Sequence, residues 1–375
     1  NPGKYIKIDG TLILDGNEEN PVEITVNSDI DEYWKGIYFT DSAEDVTIDQ
    51  NGNYVSGCLV RNGKLSMFNT FEIIGSAPLI EKNIFFDGNN NPNSDFTVYE
   101  VINVNGGAIL RYNEFYNLTN PSFSEGVFNL SGCSFYNNII RDCNIDWPNN
   151  GGFLVSLVSL ENSVVFENNS IARNVSNIGT WCSNCYPTMV ASIGSGNVIN
   201  SNTIINNLTE RHFLGLDDIE DNNYSVAFEG SGNTFSMNIL ENIQMEYEIG
   251  LVSGDDLDAS NNYWGVVDSA TISDIIFDVN DDFDFNGYGE VQFTPFATLP
   301  FSSNPAYIYK MELNGNSAGS EILGSGTYSF DVYFNRAMDT EHTPFLSFGV
   351  DQPYTQHVVT DSTSWSADST VWTAY

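Results

Sequence analysis

The sequence predicts an all-β chain in which a parallel solenoid is followed by a smaller β-sandwich. Three observations predict it. A degenerate phrase, Asn between apolar residues, recurs along most of the chain at a spacing of roughly 24 to 36 residues. Each copy follows a short apolar, β-branched or aromatic run, and Gly or Ser then turns the chain. Helical periodicity with proper caps is almost absent.

The copies read IEKNIF (80–85), LRYNEF (110–115), FYNNII (135–140) and FENNSI (166–171), then INSNTI (199–204), FSMNIL (235–240) and ASNNYW (259–264). The spacing is too variable for a propeller blade, and the regular leucines of leucine-rich repeats are missing. A parallel solenoid accounts for the unit: each strand pairs one rung above and below, about 4.8 Å away, and one face of every strand fills a continuous interior. In that geometry Asn83, Asn113, Asn138, Asn169, Asn202, Asn238 and Asn262 are expected to be structural. Their short amides suit the left-handed backbone of a sharp turn and can bond along the stack as a ladder. A feature repeated in every rung is not a catalytic site.

The opening segments YIKIDGTLILDG (5–16), PVEITV (21–26) and WKGIYF (34–39) resemble the first coils of pectate-lyase-like β-helix surface proteins. NNYWG (261–265), residues 272–282 and GEVQFTPF (289–296) are similar to the closing segment of those solenoids. The resemblance covers roughly residues 1–300 and implies a right-handed parallel β-helix. Within the closing segment, Trp264 and Tyr263 are large enough to plug the last rung, and Ile272, Ile275 and Ile276 suit a short amphipathic cap. Residues 301–375 form a second domain with alternating strands. There FDVYFNRAMD (330–339) and PFLSFG (344–349) resemble bacterial and archaeal Ig-like modules. The segment is short for a full sandwich, and TVWTAY (370–375) reads as an open strand, so the natural chain is expected to continue. Residue 1 starts directly on strand-like sequence without a signal-peptide core, the mark of a mature product or a fragment.

Lys and Arg number 12 against 50 Asp and Glu, a formal net charge of −38. Such a chain repels nucleic acid. No run of about 18 apolar residues is present, so the sequence carries no membrane span. Its self-repulsion is of the kind that divalent cations or high ionic strength relieve outside the cell. Asp278, Asn280, Asp282 and Asp284 space oxygen ligands at alternate positions and are the candidate calcium ligands, although the glycine and terminal Glu of an EF-hand are missing. The ion would be structural, and no organic cofactor is expected.

Five cysteines are too few for a disulfide scaffold and leave an odd one. Cys133 with Cys143, and Cys182 with Cys185, are the candidate bridges, free thiols being the alternative. The Cys182–Cys185 pair has neither the second CxxC nor the helix that zinc or redox chemistry needs.

Polysaccharide lyases and glycoside hydrolases also use the fold that the resemblance implies, and such chemistry needs converging bases and acids. Lys64, Lys82, Arg111, Arg141, Arg173 and Arg211 are the candidate bases. Arg111, Arg141 and Arg173 fall near equivalent points of successive repeats, where ion pairs to Glu114, Asp142 or Glu167 are the simpler expectation. Carboxylates concentrate at Asp217, Asp218, Glu220 and Asp221 beside Arg211 and His212, at Asp255, Asp256 and Asp258, and at 278–284. All fall in expected turns, and three His give Ser-His-Asp chemistry no support. Six Asn-x-Ser/Thr sequons (Asn117, Asn129, Asn168, Asn174, Asn207, Asn223) are what this composition produces by chance. The 19 Tyr and 25 Phe exceed the evident needs of the interior and suit sugar stacking or subunit contacts. The sequence therefore points to an extracellular or cell-surface protein of structural or adhesive kind. It would be a stiff spacer about 50 Å long at the parallel-strand spacing, which self-associates into a filament or sheath or engages surface proteins or glycans. Its rival is a carbohydrate-active or carbohydrate-binding protein.

Overall fold

A computed structural model describes residues 4–24, 34–66, 71–86, 102–120, 127–147, 154–178, 186–211, 223–242, 244–281, 287–317, 326–350, 354–359 and 363–375. The chain divides into two compact units, Asn1–Thr298 and Leu299–Tyr375.

The first unit is an all-β, solenoid-like stack of parallel strands. Among the described residues a ten-stranded sheet runs from Lys4–Ile8 to Ile276–Phe277. One eight-stranded sheet runs from Ile13–Asp15 to Thr234–Ser236, and a second from Val22–Ile24 to Ile239–Glu241. A four-stranded sheet spans Thr119–Asn120 to Leu208–Arg211. Nine steps of about 4.8 Å make the ten-stranded sheet about 43 Å tall.

The central coils show why such short strands suffice. Ser134–Tyr136, Ile139–Arg141 and Asn144–Trp147 follow one another with two residues at each corner. A three-residue strand has one residue on the inner face, here Phe135 and then Ile140. At each corner the first residue takes the left-handed conformation (Asn137, φ 55°; Asp142, φ 55°) and the second, Asn138 or Cys143, is buried. Inward positions therefore advance by three and two in alternation, at 135, 138, 140, 143 and 145.

In-register pairing stacks like on like. Phe85 pairs with Phe115 and Phe135 with Phe166, with ring centroids 4.7 and 5.4 Å apart and nearly parallel planes. Phe39, Phe71, Phe128, Phe228 and Phe235 are buried in the same core. The interior thus consumes aromatic residues that the sequence suggested were in excess. Fully burying one such ring contributes about 2 to 3 kcal/mol.

The far end is closed as expected. Trp264 is buried with Ile272 and Ile276, and Phe293 meets it edge-on. Ile272 belongs to the helix Ser269–Asp274, whose N-cap Asp268 accepts from the Thr271 N–H at 2.9 Å.

In the second unit, five antiparallel strands lie in the order Asn316–Ser317, Ile308–Leu313, Phe330–Phe334, Val371–Ala374, Ser364–Trp365. The hairpin Leu346–Phe348 with His357–Val359 is separate. Leu346 and Val359 pack against a small core of Val332, Phe334, Trp372 and Ala374.

Candidate functional site

The recurrent asparagines line up inside the first unit. Asn83 donates both its backbone N–H and its Nδ2 to Oδ1 of Asn113. The same double donation links Asn113 to Asn138, Asn138 to Asn169, Asn169 to Asn202, Asn202 to Asn238 and Asn238 to Asn262, with distances of 2.8 to 3.3 Å. Each Nδ2 also reaches a carbonyl of the preceding rung, as Asn169 does to Phe135 at 3.0 Å. An amide has two donor hydrogens and two acceptor sites, so these buried side chains are fully satisfied.

One expectation needs correction. The left-handed residue is the one before each ladder asparagine: Lys82, Tyr112, Asn137, Asn168, Ser201, Met237 and Asn261, with φ between 54° and 58°. The ladder Asn is selected for its amide, and the turn is made by whatever side chain precedes it.

A second ladder runs four or five residues on. The Cys143 N–H donates to Asn174 Oδ1, Asn174 to Asn207, and Asn207 to Asn242, at 2.9 to 3.0 Å. Asn174 and Asn207, which the sequence marks only as sequons, have their Nδ2 groups committed to this ladder.

The arginines are paired outside the core. Glu81 lies between two of them, 2.7 Å from Arg61 Nε and 2.7 Å from Arg111 Nη2. Arg111 also donates to the Tyr136 hydroxyl at 3.1 Å and to the Gly52 carbonyl at 2.6 Å. Of the carboxylates expected to pair with these arginines, Glu114 and Asp142 do so, with Arg141 and Arg173. Glu114 accepts from Arg141 at 2.6 Å, and Arg141 lies over the Tyr116 ring at 4.7 Å. Asp142 accepts from both Arg141 and Arg173; the Arg173 guanidinium, chiefly, holds its carboxyl below the usual range. Tyr116 in turn stacks on Phe86 at 5.8 Å, so both rings face each other.

Lys64 and Lys82 are exposed. Asp256 Oδ1 accepts from the Glu290 N–H and Asp258 Oδ1 from the Ser260 N–H, both at 2.9 Å, and these exposed carboxylates cap turns. Residues 212–222, hence His212, Asp217, Asp218, Glu220 and Asp221, lie outside the described residues, as does the side chain of Arg211.

Of the candidate calcium ligands, Asp278 is buried and already accepts from the Asn280 N–H and the Val291 N–H, both at 2.8 Å. Asp282 and Asp284 lie outside the described residues. Among the described residues no three His, Cys, Asp or Glu side chains are grouped to hold a metal ion. Cys133 and Cys143 are free, buried thiols rather than a bridge: they occupy inward corners separated by the corner of Asn138. Burial pushes both up to about 12. Cys182 and Cys185 lie outside the described residues.

Chemically, the described site is a set of internal amide ladders flanked by closed ion pairs. Among the described residues no helix is long and apolar enough to cross a membrane. Comparison with family models, curated proteins and solved structures found no match.

Proposed function

We propose that this chain is a stiff structural or adhesive element of an extracellular or cell surface. In this reading the first unit is a right-handed parallel β-helix of the pectate-lyase-like kind and the second an Ig-like module. The observation that carries it is where the polar chemistry goes. The recurrent asparagines are spent on internal ladders, and Arg61, Arg111, Arg141 and Arg173 are each spent on carboxylates. A lyase needs a base turned toward its substrate, whereas a spacer needs rungs that resist shear. The stacked Phe86 and Tyr116 likewise support rung-to-rung cohesion over sugar stacking.

Assembly into a filament or sheath is part of the proposal, with calcium screening the net charge of −38. Electron microscopy of the purified protein with and without a calcium chelator tests it. Ordered polymers that disperse on chelation are the expected result. Monomers indifferent to chelation that cleave an acidic polysaccharide would replace this reading with the enzymatic one.

A further inference from the structure

Charge is spread unevenly over the first unit. The two eight-stranded sheets meet at a shared corner, and over seven successive rungs they and that corner comprise residues 59–66, 79–86, 109–116, 134–141, 165–172, 198–205 and 234–241. The hairpin of Thr47–Ile48 with Tyr54–Ser56 lies over the first of the two outer faces: Arg111 donates to the Gly52 carbonyl at 2.6 Å, and Arg61 sits over the Tyr54 ring at 5.8 Å. Together with residues 45–57 of that hairpin, this strip holds five basic and six acidic residues, a net charge of −1. The rest of the first unit, within residues 1–298, carries −31.

Exposed apolar side chains gather on the same strip. Among the described residues of the first unit beyond residue 24, the large exposed ones are Ile48, Val55, Tyr112, Ile139, Met237 and Val267. All but Val267 lie on the strip or its hairpin. Tyr112 (52% exposed) takes a left-handed corner position that turns its side chain outward, and Ile139 (43%) alternates with the inward Ile140 in the next rung. A surface poor in net charge that exposes Tyr, Ile and Met has the composition of an interface centre.

We propose that two copies of this chain pair side by side and antiparallel through this strip. Each copy carries −38, and two of them approach without massing carboxylates only where both are near neutral. The strip is also complementary to itself: Lys64 and Lys82 are exposed toward one end, and Glu167 and Glu241 stand half-buried toward the other. A two-fold axis across the strip sets one end against the other and brings Tyr112 and Ile139 to the centre, as in an isologous dimer. The flanking acidic faces oppose the contact, so monovalent salt strengthens it, whereas docking of a basic patch on an acidic face weakens with salt. The proposal rests on the reading of the chain as an assembling surface element and names the face by which it assembles.

Sedimentation equilibrium of the wild type, Tyr112→Glu, Ile139→Glu and the off-strip control Val267→Glu tests this, with a calcium chelator present and NaCl raised from about 0.05 to about 0.5 M. The wild type and Val267→Glu are expected to dimerise, with dissociation constants that fall about tenfold across that range. Each strip variant is expected to weaken the dimer about tenfold or more. A wild type that stays monomeric at every salt concentration overturns the proposal, as does a dimer that weakens with salt or ignores the strip variants. Should a variant fail to fold, amide exchange of the wild type at two protein concentrations decides. Protection of residues 110–116 and 135–141 that rises with concentration supports the strip, and unchanged protection overturns it. Polymers seen by electron microscopy for the wild type and Ile139→Glu alike leave the assembling element standing and remove this face from it.

Discussion

Asn169 donates its backbone N–H at 2.9 Å and its Nδ2 at 3.0 Å to the single Oδ1 of Asn202. That oxygen closes two bonds at once, so the ladder is as much a backbone feature as a side-chain one. Asn169→Ala removes the acceptor for both donors of Asn138 and leaves the Phe135 carbonyl without its Nδ2 partner. A loss of about 2 to 5 kcal/mol is expected in denaturant unfolding, since each orphaned buried group costs about 1 to 3. Asn169→Asp should be worse above pH 6, because a carboxylate oxygen then faces the Phe135 and Asn202 oxygens. A variant within 0.5 kcal/mol of wild type, on the order of an ordinary surface change, would show the ladder to be dispensable.

The ion pairs separate by burial. The Glu81 side chain is 6% exposed between Arg61 and Arg111, whereas Arg173 is 57% exposed beside Asp142. Glu81→Ala removes the carboxylate that Arg61 and Arg111 share, leaving Arg61 only Asp15 at 3.6 Å and Arg111 only neutral acceptors, and should cost about 3 to 5 kcal/mol. Arg173→Ala should cost about 0 to 1 kcal/mol. Unfolding midpoints of the two variants check the ordering, and a reversed order would refute the charge placement.

Asp142 supplies an acid limb. Its folded pKa lies below the ordinary 3.8, chiefly through Arg173 and then Arg141. A depressed carboxyl contributes stability that is present above 3.8 and is lost as pH falls through the lower folded value. Thermal midpoints of wild type and Asp142→Asn should therefore differ at pH 6 and converge as pH falls from 3.8 through the lower folded value. Parallel curves across that range would remove Asp142 from the acid response.

Much of this was legible in the sequence because the first ladder is marked twice, by its Asn and by flanking apolar residues such as Phe135 and Ile140. Closure by Trp264 and Ile272 was legible from size and hydrophobicity. The second ladder was not: its corner positions hold Leu118, Cys143, Asn174, Asn207 and Asn242, so an asparagine signal starts only halfway up the stack. The left-handed positions were placed one residue late because Lys82, Tyr112 and Met237 carry no turn signature of their own. Position-specific sterics, imposed by the two-residue corner, override the preference that would put Gly or Asn there. Glu248, which accepts from the N–H and the Nδ2 of Asn242, could not be read as the terminus of that ladder, since it follows Asn242 by six residues where the earlier ladder steps skip more than thirty.

Cys133 and Cys143 should be inert in the folded protein. The thiolate is the reactive form, and both thiols are pushed up to about 12 in a buried setting. Maleimide labelling followed by mass spectrometry at pH 8 should find neither modified in the native state and both modified in guanidinium. Rapid native labelling of either would mean that its corner opens readily.

Gly250 offers the most local test of packing on the ten-stranded sheet. A Cβ built there would lie 2.4 Å from the Tyr224 ring, which packs with Ala227 and Phe277. Tyr224 belongs to the neighbouring strand, where Ala227 pairs with Gly250, so the ring reaches across the rung into the space that glycine leaves. Gly250→Ala must displace the ring or part the strands, at about 1 to 3 kcal/mol. If the ring is the obstacle, Tyr224→Ala should abolish most of that cost, making the double variant less destabilised than the sum of the two single ones. Additive losses would place the strain in the backbone pairing of 226–228 with 249–251 instead, because only a direct contact between the two side positions couples them.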